Sequence, residues 1–435
     1  MALQSPRGMH DIFPDVSRVR QHITQTMRAV VERYGYGEIS TPVCEFSDVF
    51  HRTLGDTSDV VAKETYSFAD RGGESLTLRP EFTAGVVRAF IAHKLYDQLP
   101  LRYWYHGPAF RYERPQKGRC RQFHQFGVEY LGVAEPFADV EVIAMAMHAL
   151  EVLGLQDQVV LHINSLGDAQ SRTQYRAALV EYFSDHRAQL SSDSQQRLQH
   201  NPLRILDSKS TQDQQIVEGA PGMQQHFTAQ AQEFFAQVEE GLTALGIAYT
   251  RNPRIVRGLD YYNHTVFEVL AGALGSQNAV LSGGRYDGLV EAMGGTPTPG
   301  MGWAAGMERL EMLVTQPSDP ARPVVVIPLQ SDAGDRIAAL ALAQKLRQAA
   351  QVVDVQYRGN LSKRLKRAAK AGARWAVLLP TQEGGYADGG KLAMAGAPEA
   401  QSSLETCVLR DLDSGEQRDV TEEQLFRILA DEHKG

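Results

Sequence analysis

The first strong rhythm in the chain is Val19, Ile23, Met27 and Val30, apolar positions at helical spacing separated by polar residues. It predicts an amphipathic helix over 15–34, stopped by Gly35 and Gly37. Strand-like runs follow at Ser75–Arg79, Leu101–Arg111 and Arg121–Leu131, then a helix at Phe137–Leu153 and a strand at Leu161–Asn164. From about Gly167 to Pro221 the character changes. Ser, Gln, Asp and Arg dominate and the apolar residues keep a helical beat, so a small helical insertion over about 168–222 is expected. Strands return at Arg254–Leu270 and Ala279–Ser282, with a helix after Gly306. Pro317–Pro323 carries Ser, Asp and three prolines, which is linker chemistry.

Beyond that linker the pattern alternates. Val324–Pro328 is wholly apolar, Asp335–Ala349 helical, Val352–Tyr357 a strand, Leu361–Ala371 a helix and Trp375–Pro380 a strand. Strands alternating with helices imply a separate α/β domain on a mostly parallel sheet. The expected organisation is therefore an α+β domain over 1–320, with an antiparallel sheet and the helical insertion, followed by an α/β domain over 323–435. No internal repeat is evident.

Composition narrows the class. At 435 residues, 43% apolar and 22% charged, the chain can build a large core and is not a disordered protein. A formal charge of −8 argues against coating nucleic acid or anionic membrane non-specifically, while leaving room for a nucleic-acid ligand held by a local basic strip. Cys44, Cys120 and Cys407 are scattered and lack Cys-x-x-Cys spacing, so neither disulfides nor a thiolate metal site is expected. The start of the chain has no apolar leader and no run approaches a membrane span. A cytoplasmic protein is the expectation.

Candidate chemistry concentrates in Leu101–Leu131. Two strand-like runs flank a polar loop carrying Arg114, Lys117, Arg119 and Arg121. In the second run, alternation puts Gln125, Gly127 and Glu129 on one face and His124, Phe126, Val128 and Tyr130 on the other. The apolar set can pack while the small and polar set lines a pocket. Arg111, ending the first strand, can hold phosphate or carboxylate oxygens bidentately. A hairpin with a solvated charged loop would give the same pattern. Gly283–Gly288 reads either as a tight turn or as backbone that lets a ligand approach closely. Gly300-x-Gly302-x-x-x-Gly306 misses a dinucleotide fingerprint by one residue of spacing, and Gly385 to Lys391 misses a phosphate-loop signature because Leu392 follows the lysine. Both are read as structural glycines.

These residues carry a resemblance. Phe110-Arg-Tyr-Glu-Arg-Pro-Gln-Lys-Gly-Arg-Cys-Arg-Gln-Phe-His-Gln resembles the second signature of class II aminoacyl-tRNA synthetases in its histidyl-tRNA synthetase form. Leu78-Arg-Pro-Glu-Phe-Thr-Ala is similar to that family's amino-acid-binding loop, Arg257-Gly-Leu-Asp-Tyr-Tyr-Asn-His-Thr-Val-Phe-Glu to its histidine-specific motif, and Gly300-Met-Gly-Trp-Ala-Ala-Gly-Met-Glu-Arg-Leu310 to the third signature. The helix around Val19–Tyr34 with Pro42 fits the first. The likeness covers essentially the whole chain, in the family's order.

The resemblance implies ATP-dependent activation of L-histidine to histidyl-adenylate and pyrophosphate, then transfer to the 3′ end of tRNA(His), by a cytoplasmic homodimer using Mg2+. It implies that Arg111 clamps the α-phosphate with Glu113 near the adenine. Arg309 would meet the γ-phosphate, and Arg257 would be a fixed cation at the α-phosphate. Glu81, Thr83 and Gln125 would hold the α-amino group, while Glu129, Tyr262 and the neighbouring Tyr261 would form the imidazole pocket. Its C-terminal domain would read the anticodon. Arg119, Arg121, Lys363 and Arg367 are then candidate tRNA contacts, the last two from a helix whose apolar face is Leu361, Leu365 and Ala369; a solvated face is the plainer reading of that run. Phe82 replaces a glycine common in relatives, which implies a narrower amino-group loop, and Cys120 stands at a usually aromatic position. The rival reading is a non-catalytic paralogue, a regulatory subunit of histidine biosynthesis; such paralogues erode the arginines and lose the second domain, and this chain retains both.

Overall fold

The computed structural model describes residues 3–54, 64–206, 208, 210–255, 261–315, 321–330, 333–380 and 406–432. Arg257, most of the linker and the Gly385–Lys391 stretch lie outside them. The chain divides into two compact units, Met1–Pro317 and Ser318–Gly435.

The first helix, α1 (Pro14–Arg33), starts on a proline that needs no intrahelical donor and carries Asp15 in its first turn and Arg33 in its last, each complementing the helix dipole. Its Val19, Ile23, Met27, Val30 and Val31 are buried. A short strand β1 (Gly37–Glu38) follows, then a small antiparallel sheet from β2 (Cys44–Phe46), α2 (Ser47–Leu54), β3 (Tyr66–Ala69) and β4 (Ser75–Leu78), in order β2-β4-β3. After α3 (Thr83–Ala92) comes the long hairpin of β5 (Leu101–Phe110) and β6 (Gln122–Leu131), in unbroken register from Leu101–Leu131 to Phe110–Gln122. Then come α4 (Pro136–Val152) and β7 (Val159–Ser165). The inserted helices are α5 (Ala169–Asp185), α6 (Ser192–His200) and α7 (Thr211–Val217), after which α8 (Ala229–Ala244) packs back on the sheet. The chain returns to the sheet through β8 (Thr250–Arg251), β9 (Asn263–Ala271), β10 (Ala279–Arg285), α9 (Leu289–Ala292), β11 (Gly300–Gly306) and α10 (Met307–Leu310).

Eight strands form the main sheet in the order β1-β5-β6-β11-β10-β9-β7-β8. The six central strands pair antiparallel, as expected, while the edge pairs β1–β5 and β7–β8 are parallel. One face is covered by α1, α4 and α8, whose Ile23, Met27, Leu150 and Val238 join Phe126, Val128, Phe267 and Trp303 in one core. The opposite face is left for the cleft described below. The insertion has its own core around Leu179, Phe183 and Ile205. Its buried Asp213 accepts hydrogen bonds from the hydroxyls of Ser191, Ser194 and Ser208 at 2.6–2.7 Å.

Two expectations change here. The strand expected to end at Ser282 runs on to Arg285, so Gly283 and Gly284 are mid-strand rather than in a turn. A Cβ on Gly283 would strike the Gly302 carbonyl and the Trp303 side chain, so glycine is what lets β10 and its neighbours pack. The run expected as one strand from Arg254 begins only at Asn263. Arg285, at the end of β10, is wholly buried and pairs with Asp139 of α4 and, at 3.0 Å, with Asp287. That pairing pins the helix layer to the sheet.

In the second unit, β12 (Val324–Pro328), α11 (Ala333–Gln348), β13 (Val353–Val355), α12 (Leu361–Lys370) and β14 (Trp375–Leu379) follow the expected alternation. The strands β15 (Cys407–Asp411) and β16 (Gln417–Val420) and the helix α13 (Glu422–Glu432) complete it. The sheet order is β13-β12-β14-β15-β16, with the first three parallel and the last two antiparallel, so the sheet is mixed rather than mostly parallel. The buried face of α12 is Leu361, Arg364, Leu365 and Ala368, not Ala369. Arg364 turns inward because its long side chain reaches the carbonyls of Pro328 and Gln356.

Removing the carboxylate of Asp139 would take from the buried Arg285 guanidinium its fully buried partner and leave it the partly exposed Asp287. Asp139→Ala should therefore lower the unfolding free energy of the first unit by about 3–5 kcal/mol in urea titrations; an unchanged midpoint would contradict the structural role given to this pair.

Candidate functional site

A cleft of about 360 Å³ opens on the face of the main sheet that the helices leave free. Glu81 and Thr83 at the start of α3, Tyr105 of β5, Gln125 of β6, and Tyr261 and Tyr262 line one end; Arg111, Glu113, Arg119 and Arg309 line the other. Alternation along β6 works as the sequence suggested. Gln125 faces the cleft, Glu129 lies on the same side, and Phe126 and Val128 join the helix-covered core.

Glu129 sits just beneath the cleft, 1% exposed. Its Oε1 accepts from the Thr83 hydroxyl at 2.7 Å and the Tyr105 hydroxyl at 3.2 Å, and its Oε2 from the Tyr286 hydroxyl. Two glycines make this possible. A Cβ on Gly127 would collide with the Tyr105 hydroxyl, and one on Gly302 with the Glu129 carboxylate itself. Burial pushes the Glu129 carboxyl up to about 8, against the pull of the three hydroxyls and with nearby Glu81 adding to the rise. Glu81 is also buried and raised by desolvation; it accepts from the backbone N–H groups of Thr83 at 2.5 Å and Ala84 at 2.8 Å, at the positive end of α3. The carbonyl oxygen of Gln125 is buried without a hydrogen-bond partner, so it is an acceptor waiting for a donor. Tyr261 and Tyr262 pack together with ring centroids 4.6 Å apart.

At the opposite end three guanidiniums share few carboxylates. Arg111 donates to the Pro80 carbonyl at 2.9 Å and lies 5.2 Å from the Phe123 ring centroid, which fixes its direction. Arg119 pairs with Glu113 at 2.6 Å, and Arg111 approaches the same carboxylate at 4.0 Å. Arg309 donates to the carbonyls of Gly118 and Ala279. Burial, then the nearby Arg119 cation, hold its guanidinium below the usual arginine range. Arg309 is seated by a further network: Arg20 of α1 pairs with Glu311 and, at 3.1 Å, with Glu308, and donates to His124 Nδ1 at 2.6 Å. The backbone N–H of His124 donates to Glu308 at 3.0 Å.

Of the sequence candidates, Glu81, Thr83, Arg111, Glu113, Arg119, Gln125, Tyr261, Tyr262 and Arg309 line one cleft and Glu129 underlies it. Arg121 instead stacks 3.8 Å over the Tyr112 ring, outside the lining. Lys363 and Arg367 are exposed on α12, and Arg257 lies outside the described residues. Phe82 does not narrow the cleft: it stacks on Tyr105 at 4.4 Å, with Arg79 on it, and braces that ring. Sequence reasoning missed Tyr105, Tyr286 and the Arg20 network. Tyr105 was findable, since it pairs directly across from Gly127 and so shares the Gln125–Glu129 face. Nothing in the local pattern marked Arg20, which sits on the buried side of an amphipathic helix.

The histidyl-tRNA synthetase family model matches residues 8–310. The chain is 53% identical to a histidine–tRNA ligase of Rhodospirillum rubrum over 433 residues, covering 98% of this chain and 100% of that one. It is 46% identical to one from Gluconobacter oxydans, covering 98% of each. Among solved structures, apo histidyl-tRNA synthetase of S. aureus superposes with a TM-score of 0.77 at 31% identity, covering 98% of this chain and 99% of that one. A Bacillus halodurans C protein described as an ATP phosphoribosyltransferase regulatory subunit/histidyl-tRNA synthetase shares the fold, with a TM-score of 0.61 at 24% identity over 83% of this chain and 94% of that one.

Glu129 gives this site a pH signature. Between the ordinary carboxyl value of 4.5 and about 8, the folded protein keeps a proton on Glu129 that the unfolded chain has lost. Stability is therefore present at the acid end of that window and declines as pH rises through it. Relative to Glu129→Gln, wild type should lose stability from about pH 5 to about pH 8 in thermal melts; parallel pH profiles would contradict the raised value.

Proposed function

The chain belongs to the histidyl-tRNA synthetase family, and from that membership we propose how its residues divide the work of a histidine–tRNA ligase. The reaction itself follows from near-full-length identity of about half to such ligases. Histidine and ATP give histidyl-adenylate and pyrophosphate, and the tRNA(His) 3′ terminus then takes the histidyl group, releasing AMP. The rival reading as a regulatory subunit has no matching loss: the cleft arginines and a second unit are retained.

The observation that carries the assignment is that one cleft holds two clusters, the hydrogen-bonded set of Glu81, Thr83, Tyr105 and Glu129 and the guanidiniums of Arg111, Arg119 and Arg309 around Glu113. At the hydrogen-bonded end, Glu81, Thr83 and Gln125 hold the α-ammonium, and Tyr261, Tyr262 and Glu129 hold the imidazole. A hydroxyl has one proton. Thr83 and Tyr105 use theirs on Glu129, so toward the cleft they present lone pairs, suited to the N–H groups of histidine and of no purely apolar side chain. A side chain that leaves these buried acceptors unpaired is rejected far more strongly than one that merely leaves space.

At the cationic end, Arg111 holds the α-phosphate, Glu113 flanks the adenine and Arg309 meets the γ-phosphate; Arg257, outside the described residues, is the further fixed cation that family membership implies. Arg119 points into the cleft and pairs with Glu113, which favours a phosphate role over the tRNA contact first suggested; Arg121 remains a tRNA candidate. Attack of the histidine carboxylate on the α-phosphorus builds negative charge there, and cations already in place stabilise it without reorganising. No group of three or more His, Cys, Asp or Glu side chains able to hold a metal occurs among the described residues. Mg2+ would be carried largely by the nucleotide phosphates, with Glu268 as the cleft carboxylate that would hold it and charge neutralisation on pyrophosphate as the chemistry supplied.

The second unit is the proposed reader of the anticodon, with Lys363 and Arg367 as backbone contacts. Homodimer formation is supported by exposed Phe13 at the start of α1 and by Phe46 and Phe68 on the small sheet. No described helix is long and apolar enough to cross a membrane, and work on tRNA assigns the protein to the cytoplasm.

ATP–pyrophosphate exchange with each of the twenty amino acids tests this reading. Exchange should occur with histidine alone and fall about a hundredfold or more in Arg111→Ala. Exchange with no amino acid, or with several equally, would refute it.

A further inference from the structure

Three described residues other than glycine have positive φ: Lys94, His264 and Ala350. Lys94 and Ala350 sit at helix ends. His264, at φ 44°, is inside strand β9. Left-handed backbone is costly for L residues, less so for His than for branched ones.

The local pairing shows what this conformation does. Against β10, residue Val266 pairs with Gly284, yet the next pair is Asn263 with Arg285, so His264 and Thr265 together face a single step. On the other flank, the Leu166 N–H donates to the His264 carbonyl and the His264 N–H to the Gly167 carbonyl, both at 2.8 Å. Alternation from Glu268, which lines the cleft, through Val266 would send the His264 ring to the cleft face. The ring is instead on the helix side, 4.4 Å from the Phe234 ring of α8. The space it vacates belongs to Tyr262, which packs with Val266 and lies against Gly284. The same residue touches the root of the insertion. Gly167 precedes Asp168, which caps α5 and accepts from Thr228, the residue before α8.

We propose that His264 is a positioning residue for histidine binding: its left-handed backbone, locked by the ring on Phe234, sets Tyr261 and Tyr262 over the cleft and ties that edge of the pocket to the root of the helical insertion. The inference rests on the ligase reading above. It assigns His264 no contact with either substrate.

Exchange kinetics test it, with KM for histidine and for ATP measured separately in His264→Val, His264→Gly and Phe234→Ala. In His264→Val, whose branched Cβ resists left-handed backbone, KM for histidine should rise about tenfold while KM for ATP stays within about twofold. His264→Gly keeps the backbone and loses the ring, and Phe234→Ala loses the ring's seat; each should raise KM for histidine about threefold, again without moving KM for ATP. An unchanged histidine KM in His264→Gly and Phe234→Ala overturns the proposal even if His264→Val fails to fold, and so does a rise in both KM values together. Absence of histidine-dependent exchange in wild type would be a different result, refuting the ligase reading itself.

Discussion

A carboxyl group with almost no access to water must have its hydrogen bonds supplied by protein, and the needs of Glu129 organise the first unit around it. Three hydroxyls converge on its two oxygens from three separate elements: Thr83 from α3, Tyr105 from β5 and Tyr286 from the segment after β10. Small residues and stacking make room for the cluster. Gly127 lets the Tyr105 ring cross β6, Gly302 leaves room for the carboxylate, and Phe82 stacks behind Tyr105. Leaving such a buried group unpaired costs several kcal/mol, so the hydrogen-bond demand of one side chain draws α3, β5 and the segment after β10 to one point. The functional result is a cleft end where the Thr83 and Tyr105 hydroxyls, their protons committed to Glu129, present acceptors.

The cationic end depends on a second constraint. Arg309 lies next to Glu308 in α10, and Glu308 is held by Arg20 of α1 and by the His124 backbone of β6. Three segments far apart in sequence thus meet at one ion-pair cluster beside the phosphate end of the cleft. The burial of Arg20, 8% exposed in α1, connects the packing of that helix to the seating of Arg309. Helix packing and substrate binding are therefore not separable in this unit.

Much of this was legible in the sequence because alternation and helical periodicity are strong where one face is buried. The β5–β6 hairpin, the cleft face of β6 and helix α1 follow directly from spacing. The failures have physical causes. Gly283 and Gly284 look like a turn in isolation, but their function is close packing, Gly283 against Gly302 and Trp303 and Gly284 against Thr265 and Tyr262, which no local pattern reveals. Gln417–Val420 is an edge strand of three exposed polar residues and one buried valine, so it has no apolar alternation to read. Arg364 defeats a charge-based face assignment because its guanidinium finds two backbone carbonyls in the interior. His264 breaks parity through its backbone, and only the paired strands show it. Residue roles beyond cleft geometry were legible only through family resemblance.

Calorimetric titration of histidine into wild type and Glu129→Gln tests the central claim, that a buried carboxylate governs the histidine end of the cleft. The account predicts a loss of histidine affinity of about thirtyfold or more, with ATP binding preserved. Histidine binding to Glu129→Gln as tightly as to wild type would contradict it.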